Sequence, residues 1–202
     1  MQKSFIILLA AFTFLTTGYA YAQTAKPAKE YFNVPGPVVF EKKIYNLDWS
    51  THPAPNFYKQ EYLVKGEVAG KYKTMILIDV LVTDKTVKEI VAEKIIELKQ
   101  LKVNNPMVNY ESFDNPATGE CMLDFLLSVN AADGKTLSIV ERNVYHYKTF
   151  TDKSGKKGIL LFGVSTRSYG NAIDSFLVAL KTSKKDLVNQ VAKFTIPEIN
   201  IK

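Results

Sequence analysis

Four apolar-rich stretches between residues 107 and 167 are separated by links too short for anything but a reversal of the chain. The stretches are 107–113, 120–129, 136–148 and 158–167. Their links carry Asp114-Asn115-Pro116 with Gly119, then Asp133-Gly134, then Ser154-Gly155. Such turn residues between β-prone runs mark hairpins, and the short connections dictate an antiparallel meander. Upstream, 61–68 and 72–82 are β-rich and join through Ala69-Gly70 as a further hairpin.

A helix separates the two groups. Thr86 and Glu89 have capping-box spacing, and Val87, Ile90, Val91, Ile95, Leu98 and Leu101 recur at helical intervals up to Asn104-Asn105-Pro106. A closing helix starts near Asn171 and Asp174, with Ile173, Phe176, Leu177 and Leu180 as its stripe. Leu187, Val188 and Val191 continue it, either in register or as a second helix after Thr182-Ser183. Strands in runs with helices apart from them predict one α+β domain over 59–202. It would hold an antiparallel sheet of five to seven strands with helices on one face, an α/β/α sandwich being the alternative.

Residues 23–58 differ from this domain. Five of the eight prolines lie there (Pro27, Pro35, Pro37, Pro53, Pro55), interleaved with aromatics such as Tyr31, Phe32, Phe40, Trp49 and Tyr58. Prolines bar regular helix, and so many aromatics argue against a solvated tail. The segment reads as an extended lead-in lying over the domain, with 38–47 as an edge strand.

Residues 1–22 have the three parts of a cleavable secretory signal peptide. Lys3 is the positive start, 5–15 an uncharged apolar run of 11 residues, and Ala20-Tyr21-Ala22 the small-residue cleavage site. A membrane span needs about 20 apolar residues. With no cysteine at the cleavage site and no Arg-Arg pair before the run, the expectation is general export and a freely soluble chain from Gln23, periplasmic or secreted.

Hydrophobic residues make up 47% of the chain, which excludes disorder as the main state. Cys121 is the only cysteine, so no intrachain disulfide can form, and its place in an apolar run suits a buried, inert thiol. The net charge is +6, or +5 without Lys3. Its lysines are scattered at turns, which reads as a solvated surface rather than a nucleic-acid patch. The partners expected are an envelope protein or a small anionic ligand.

No serine-nucleophile elbow, phosphate loop, dinucleotide fingerprint or zinc-helix motif is present, so no cofactor and no metal are expected. His52 and His146 are the only histidines and lie in unlike regions. Register offers something sharper. A two-residue turn on Ser154-Gly155 places Arg142 opposite Arg167, the only two arginines. A three-residue loop over 132–134 places Asp124 opposite Arg142. One face would then carry the row Asp124–Arg142–Arg167, with His146 and Ser165 further along. Like charges across a strand pair are unfavourable unless something negative lies beside them. Asp79 could supply it, giving a salt-bridged row, or a bound anion could, giving a carboxylate or phosphate site. Glu141 falls on the opposite, apolar face; at the rim of that face it would reach a lysine, and deeper in, where Tyr145 could help line a small cleft, desolvation would raise a carboxyl pKa.

The order strands, helix (86–102), meander, then Ser168-Tyr169-Gly170 leading into the Phe176 helix resembles the PsbP-like fold over 59–181. That resemblance implies an exported accessory protein without a cofactor, and it transfers no functional residue. The missing catalytic motifs and the aromatic, proline-rich lead-in make the reading a non-enzymatic exported accessory or binding protein of the cell envelope. The alternative is a hydrolase using Glu141, Asp124 and His146. A third class, a homo-oligomer, would leave an apolar patch around Trp49, Phe57 and Tyr58.

Overall fold

The computed structural model describes residues 27–202, and the leader expected over 1–22 lies outside them. The chain runs β1 (Val38–Phe40), β2 (Lys43–Ala54), β3 (Phe57–Val64), β4 (Thr74–Val82), α1 (Val87–Asn104), β5 (Asn109–Asn115), β6 (Glu120–Asn130), β7 (Leu137–Thr151), β8 (Lys157–Tyr169) and α2 (Ile173–Lys193). A single 3-10 turn, Gly170–Ala172, leads into α2. All eight strands form one sheet in the order β1-β2-β3-β4-β8-β7-β6-β5. Every neighbouring pair is antiparallel. Two four-strand meanders thus meet at β4–β8, and α1 carries the chain from the centre of the sheet to its far edge.

This corrects the expected fold in two respects. The sheet has eight strands, not five to seven, because the stretch read as a lead-in supplies β1 and β2. The helices do not share a face, nor do they build the layers of an α/β/α sandwich. One helix lies against part of each face. Val87, Val91 and Leu98 of α1 pack on Leu123, Phe125, Tyr147 and Leu161. Val191 of α2 packs on the alternate residues Val144, Leu160, Phe162 and Val164, with Ile76 and Ile78 beside them. Side chains alternate between faces along a strand, so β4 and β8, apolar on both sides, must be covered on both.

Away from α2, the second core is closed by the two ends of the described chain. Asn200 N–H donates to Phe32 O (2.9 Å) and Lys202 N–H to Tyr31 O (2.9 Å). Phe32 and Val34 are thereby buried with Tyr58 and Tyr62. Tyr62 Oη donates to Val34 O at 2.7 Å, fixing the lead-in to β3. α1 starts on the expected capping box: Glu89 N–H donates to Thr86 Oγ1, and Thr86 N–H to the Glu89 carboxylate. α2 is one continuous helix through Thr182-Ser183, and its N-cap, Ala172, makes no side-chain bond. Phe57 and Tyr58 are buried, so only Trp49 of the anticipated oligomer patch stays exposed. Among the described residues no helix is long and apolar enough to cross a membrane.

Candidate functional site

The expected arginine row does not form. β7 pairs with β8 so that Glu141 faces Arg167 and Arg142 faces Thr166. The hairpin turns on three residues, Lys153-Ser154-Gly155, rather than two. Asp152 N–H donates to Lys156 O, and Gly155 takes φ 84°. A one-residue change of register moves every side chain to the other face. Arg142 therefore projects towards α2 and Arg167 towards α1. Both guanidiniums are already committed, so no anion is shared between them.

On the α2 side, Arg142 holds Asp124 in a two-pronged contact, Nε to Oδ1 and Nη2 to Oδ2, both 3.0 Å. The two strands are offset so that Asp124 faces Val144 and reaches Arg142 diagonally. Arg142 also donates to the Lys184 carbonyl of α2, tying sheet to helix. His146 lies on the same face, but its Nε2 contacts Glu120 at 3.0 Å rather than joining the pair. Ser165 is on the other face, where its hydroxyl donates to Asn143.

On the α1 side, Arg167 donates to Glu141 and lies 4.2 Å from the centre of the Tyr72 ring, whose hydroxyl donates to Glu141 at 2.8 Å. Burial, then the charge of Glu141, pushes the Tyr72 hydroxyl far above its ordinary pKa. Tyr145 lies in the same region, packed edge-on to Phe125, and burial raises its hydroxyl likewise. Asp79 serves neither arginine; it pairs with Lys59 at 3.4 Å. Glu141 and His146 fall on opposite faces, so the carboxylate–histidine hydrolase set is not assembled. Cys121 is buried and pushed up to about 12, chiefly by desolvation, which leaves it a poor nucleophile. No group of three or more His, Cys, Asp or Glu among the described residues is placed to hold a metal ion.

Two places carry unspent chemistry. The first is a cavity of about 260 Å³ between α2 and the β5–β7 edge of the sheet. The Asp124–Arg142 pair lies in its wall with Leu126, Leu177 and Leu180, and Lys181 and Lys184 stand on the helix side. Lys184 is paired with Glu111, whereas Lys181 is exposed and has no ion pair among the described residues. The first half of α2 opens this space because Phe176, Leu177 and Leu180 are only half-buried there.

The second place was missed from sequence. On the α1 face of β3, Lys59 and Glu61 stand side by side, with Asp79 across from Lys59. α1 adds the buried Lys94, bonded to Glu97 at 2.9 Å. Desolvation lifts the Glu61 carboxyl to about 7; Lys59 pulls it down and Asp79 pushes it up. The signal for this place was available: Lys59, Glu61 and Leu63 share one side of a strand whose other side carries Tyr58, Gln60 and Tyr62.

The Glu61 shift has a signed consequence. Between about pH 4.5 and pH 7 the folded chain keeps a proton that the unfolded chain has released, so this group makes stability fall as pH rises through that window. Because the carboxyl remains partly open to water, the effect is discounted to about 1–2 kcal/mol. Glu61→Gln should therefore stabilise the fold by that amount at pH 8 and hardly at all at pH 4.5. Urea unfolding of both proteins at several pH values checks it; an equal difference at every pH contradicts it.

A family model matches residues 32–196, and the family is an uncharacterised one. No curated protein and no solved structure matches the chain. The resemblance to the PsbP-like fold gains no support from these comparisons.

Proposed function

The chain belongs to the uncharacterised family matched over residues 32–196, and we propose that it is an exported, non-catalytic envelope protein that binds a small ligand bearing one acidic group. The observation carrying this reading is the cavity between α2 and the sheet edge. Its leucine walls suit a short apolar stem, and Lys181 at the helix side, without an ion pair among the described residues, suits the acidic group. The Asp124–Arg142 pair in the wall is charge-balanced, and the hydrogen bonds of Arg142 are spent on Asp124 and Lys184, so Lys181 is the cation left to meet the acid. At about 260 Å³ the space falls just below the roughly 300 Å³ at which ligand sites for drug-sized molecules begin, so the ligand it suits is a small one. Export rests on the charge, length and small-residue pattern of 1–22.

Hexanoate serves as the probe and 1-hexanol as its neutral control. Hexanoate should raise the melting temperature of the mature chain in a saturable way and hexanol much less. Lys181→Glu should remove that preference, and Leu180→Trp, which fills the cavity, should abolish both effects. Equal responses in wild type and Leu180→Trp would dismiss the site. N-terminal sequencing of the mature protein should start at Gln23; a retained Met1 in the extracytoplasmic fraction would count against a cleaved leader.

A further inference from the structure

We infer that the strip of sheet around Trp49 and Glu61, on the α1 side and remote from the α2 cavity, is a second binding site that takes a small organic cation with an alkylammonium or guanidinium group. A register shift in β2 between Leu47 and Trp49 creates it. Leu47 faces Tyr62 and belongs to the α2-side core, whereas Trp49 faces Glu61. The extra residue at Asp48 thus turns Trp49 onto the other face, beside Glu61, where cross-strand neighbours lie about 5 Å apart at Cβ. Trp49 is 43% exposed there, although a buried position would shield its large apolar ring from water.

Glu61 differs from the other half-buried carboxylates of this face. Glu141 is paired with Arg167, but Glu61 makes no hydrogen bond or ion pair among the described residues. Each cation that acts on it or on the adjacent Asp79 is committed elsewhere. Lys59, from its own strand, is held by Asp79; Arg167 of β8 is held by Glu141; Lys94 of α1 is held by Glu97. The remaining charged neighbours are negative: Asp48 on β2 and Asp79 on β4 both act on Glu61. Asp79 is 7% exposed, projects onto the same face diagonally from Glu61, and leaves Oδ1 buried without a partner. The strip is thus short of positive charge.

An exposed indole opposite a carboxylate without a partner among the described residues matches an organic cation, which takes a cation–π contact and a charge-assisted hydrogen bond together. A divalent metal fits poorly, because no set of three or more His, Cys, Asp or Glu among the described residues is placed to hold one. Binding needs Glu61 ionised, so the cation competes with a proton at this carboxyl.

Trp49 is the only tryptophan of the chain, so its fluorescence reports on this strip alone. The probes are n-butylammonium and n-butylguanidinium at fixed ionic strength, with 1-butanol and potassium as controls. At pH 8 either cation should change the emission saturably, while the controls should not. At pH 5.5 the affinity should be roughly thirtyfold weaker, following the ionised fraction of a carboxyl near 7. Glu61→Gln should lose at least tenfold in affinity at pH 8 while remaining folded. Affinity unchanged in Glu61→Gln, a response matched by potassium, or no saturable response at pH 8 would each overturn the inference. Because this readout does not involve the α2 cavity, its failure leaves the hexanoate result standing, and the reverse also holds.

Discussion

Arg142→Ala should destabilise the folded chain by about 3–5 kcal/mol, the range for removing one partner of a buried ion pair. Arg142 is 3% exposed and Asp124 4%, so neither charge can turn to water when its partner goes. The truncation strands the Asp124 carboxylate, which loses both of its 3.0 Å contacts. It also leaves the Lys184 carbonyl of α2 without the donor that ties helix to sheet. Arg167→Ala is the natural comparison, since its partner Glu141 is 16% exposed and keeps a bond from Tyr72. There the expected loss is about 1–2 kcal/mol. The double change Asp124→Leu with Arg142→Met should recover most of the stability, because apolar residues of similar volume replace a buried pair at little net cost. Urea unfolding of the four proteins decides. Equal losses for the two arginines, or a double variant no better than Arg142→Ala, would show that desolvation does not set the value of the pair.

The same pair shows where sequence reasoning stopped. The strands, α1 with its capping box, and the inert environment of Cys121 follow from local pattern. The face on which each arginine lies depends on a single loop residue. Ser154-Gly155 fits a two-residue turn, yet Asp152 draws the chain into a longer one by accepting hydrogen bonds from the backbones of Ser154 and Lys156. Gly155 then closes a three-residue loop with positive φ. In the preceding hairpin the carboxylate of Asp133 accepts from Lys135 and Thr136 in the same way. That loop shifts the pairing by one residue and the irregularity between Val129 and Asn130 shifts it by one more, so Asp124 keeps its face and still reaches Arg142 diagonally. An odd slip destroyed the predicted row; an even one spared half of it.

Prolines misled in a different way. Pro53 lies inside β2, the second strand from the edge, where a missing N–H would ordinarily break a ladder. β1 pairs only with Lys43, Ile44 and Tyr45, so the later part of β2 has one free side and behaves as an edge. The ladder to β3 also shifts between Thr51 and Ala54, around that proline. The two-faced burial of the centre, by contrast, was legible. Thr74–Val82 (TMILIDVLV) and the middle of Lys157–Tyr169 are nearly continuous apolar runs rather than alternating ones, as strands covered on both faces require. That pattern argues against placing both helices on one side.

The junction of those two central strands carries the other large expected effect, at Gly158. A Cβ there would stand 2.0 Å from the Leu81 carbonyl oxygen, 2.9 Å from the Leu81 carbonyl carbon and 2.9 Å from Val82 Cα. All three atoms are backbone of β4, so no side-chain rotation can relieve the contact; β4 and β8 must separate. Gly158 faces Val82 at the end of the one ladder that joins the two meanders. Gly158→Ala should therefore cost about 3 kcal/mol or more, at the upper end of overpacking penalties. Gly163 lies five residues on in the same strand and provides the control. Its added Cβ would meet the Tyr145 ring at 2.9 Å and Leu77 Cδ1 at 3.0 Å, side-chain atoms rather than the backbone of a paired strand. For Gly163→Ala about 1–2 kcal/mol is expected. Neither glycine has positive φ, so the contrast isolates close approach from conformational freedom. Circular dichroism and urea unfolding of both variants would read it. A Gly158→Ala protein as stable as wild type would mean that β4 and β8 do not approach as closely at this point as the fold requires.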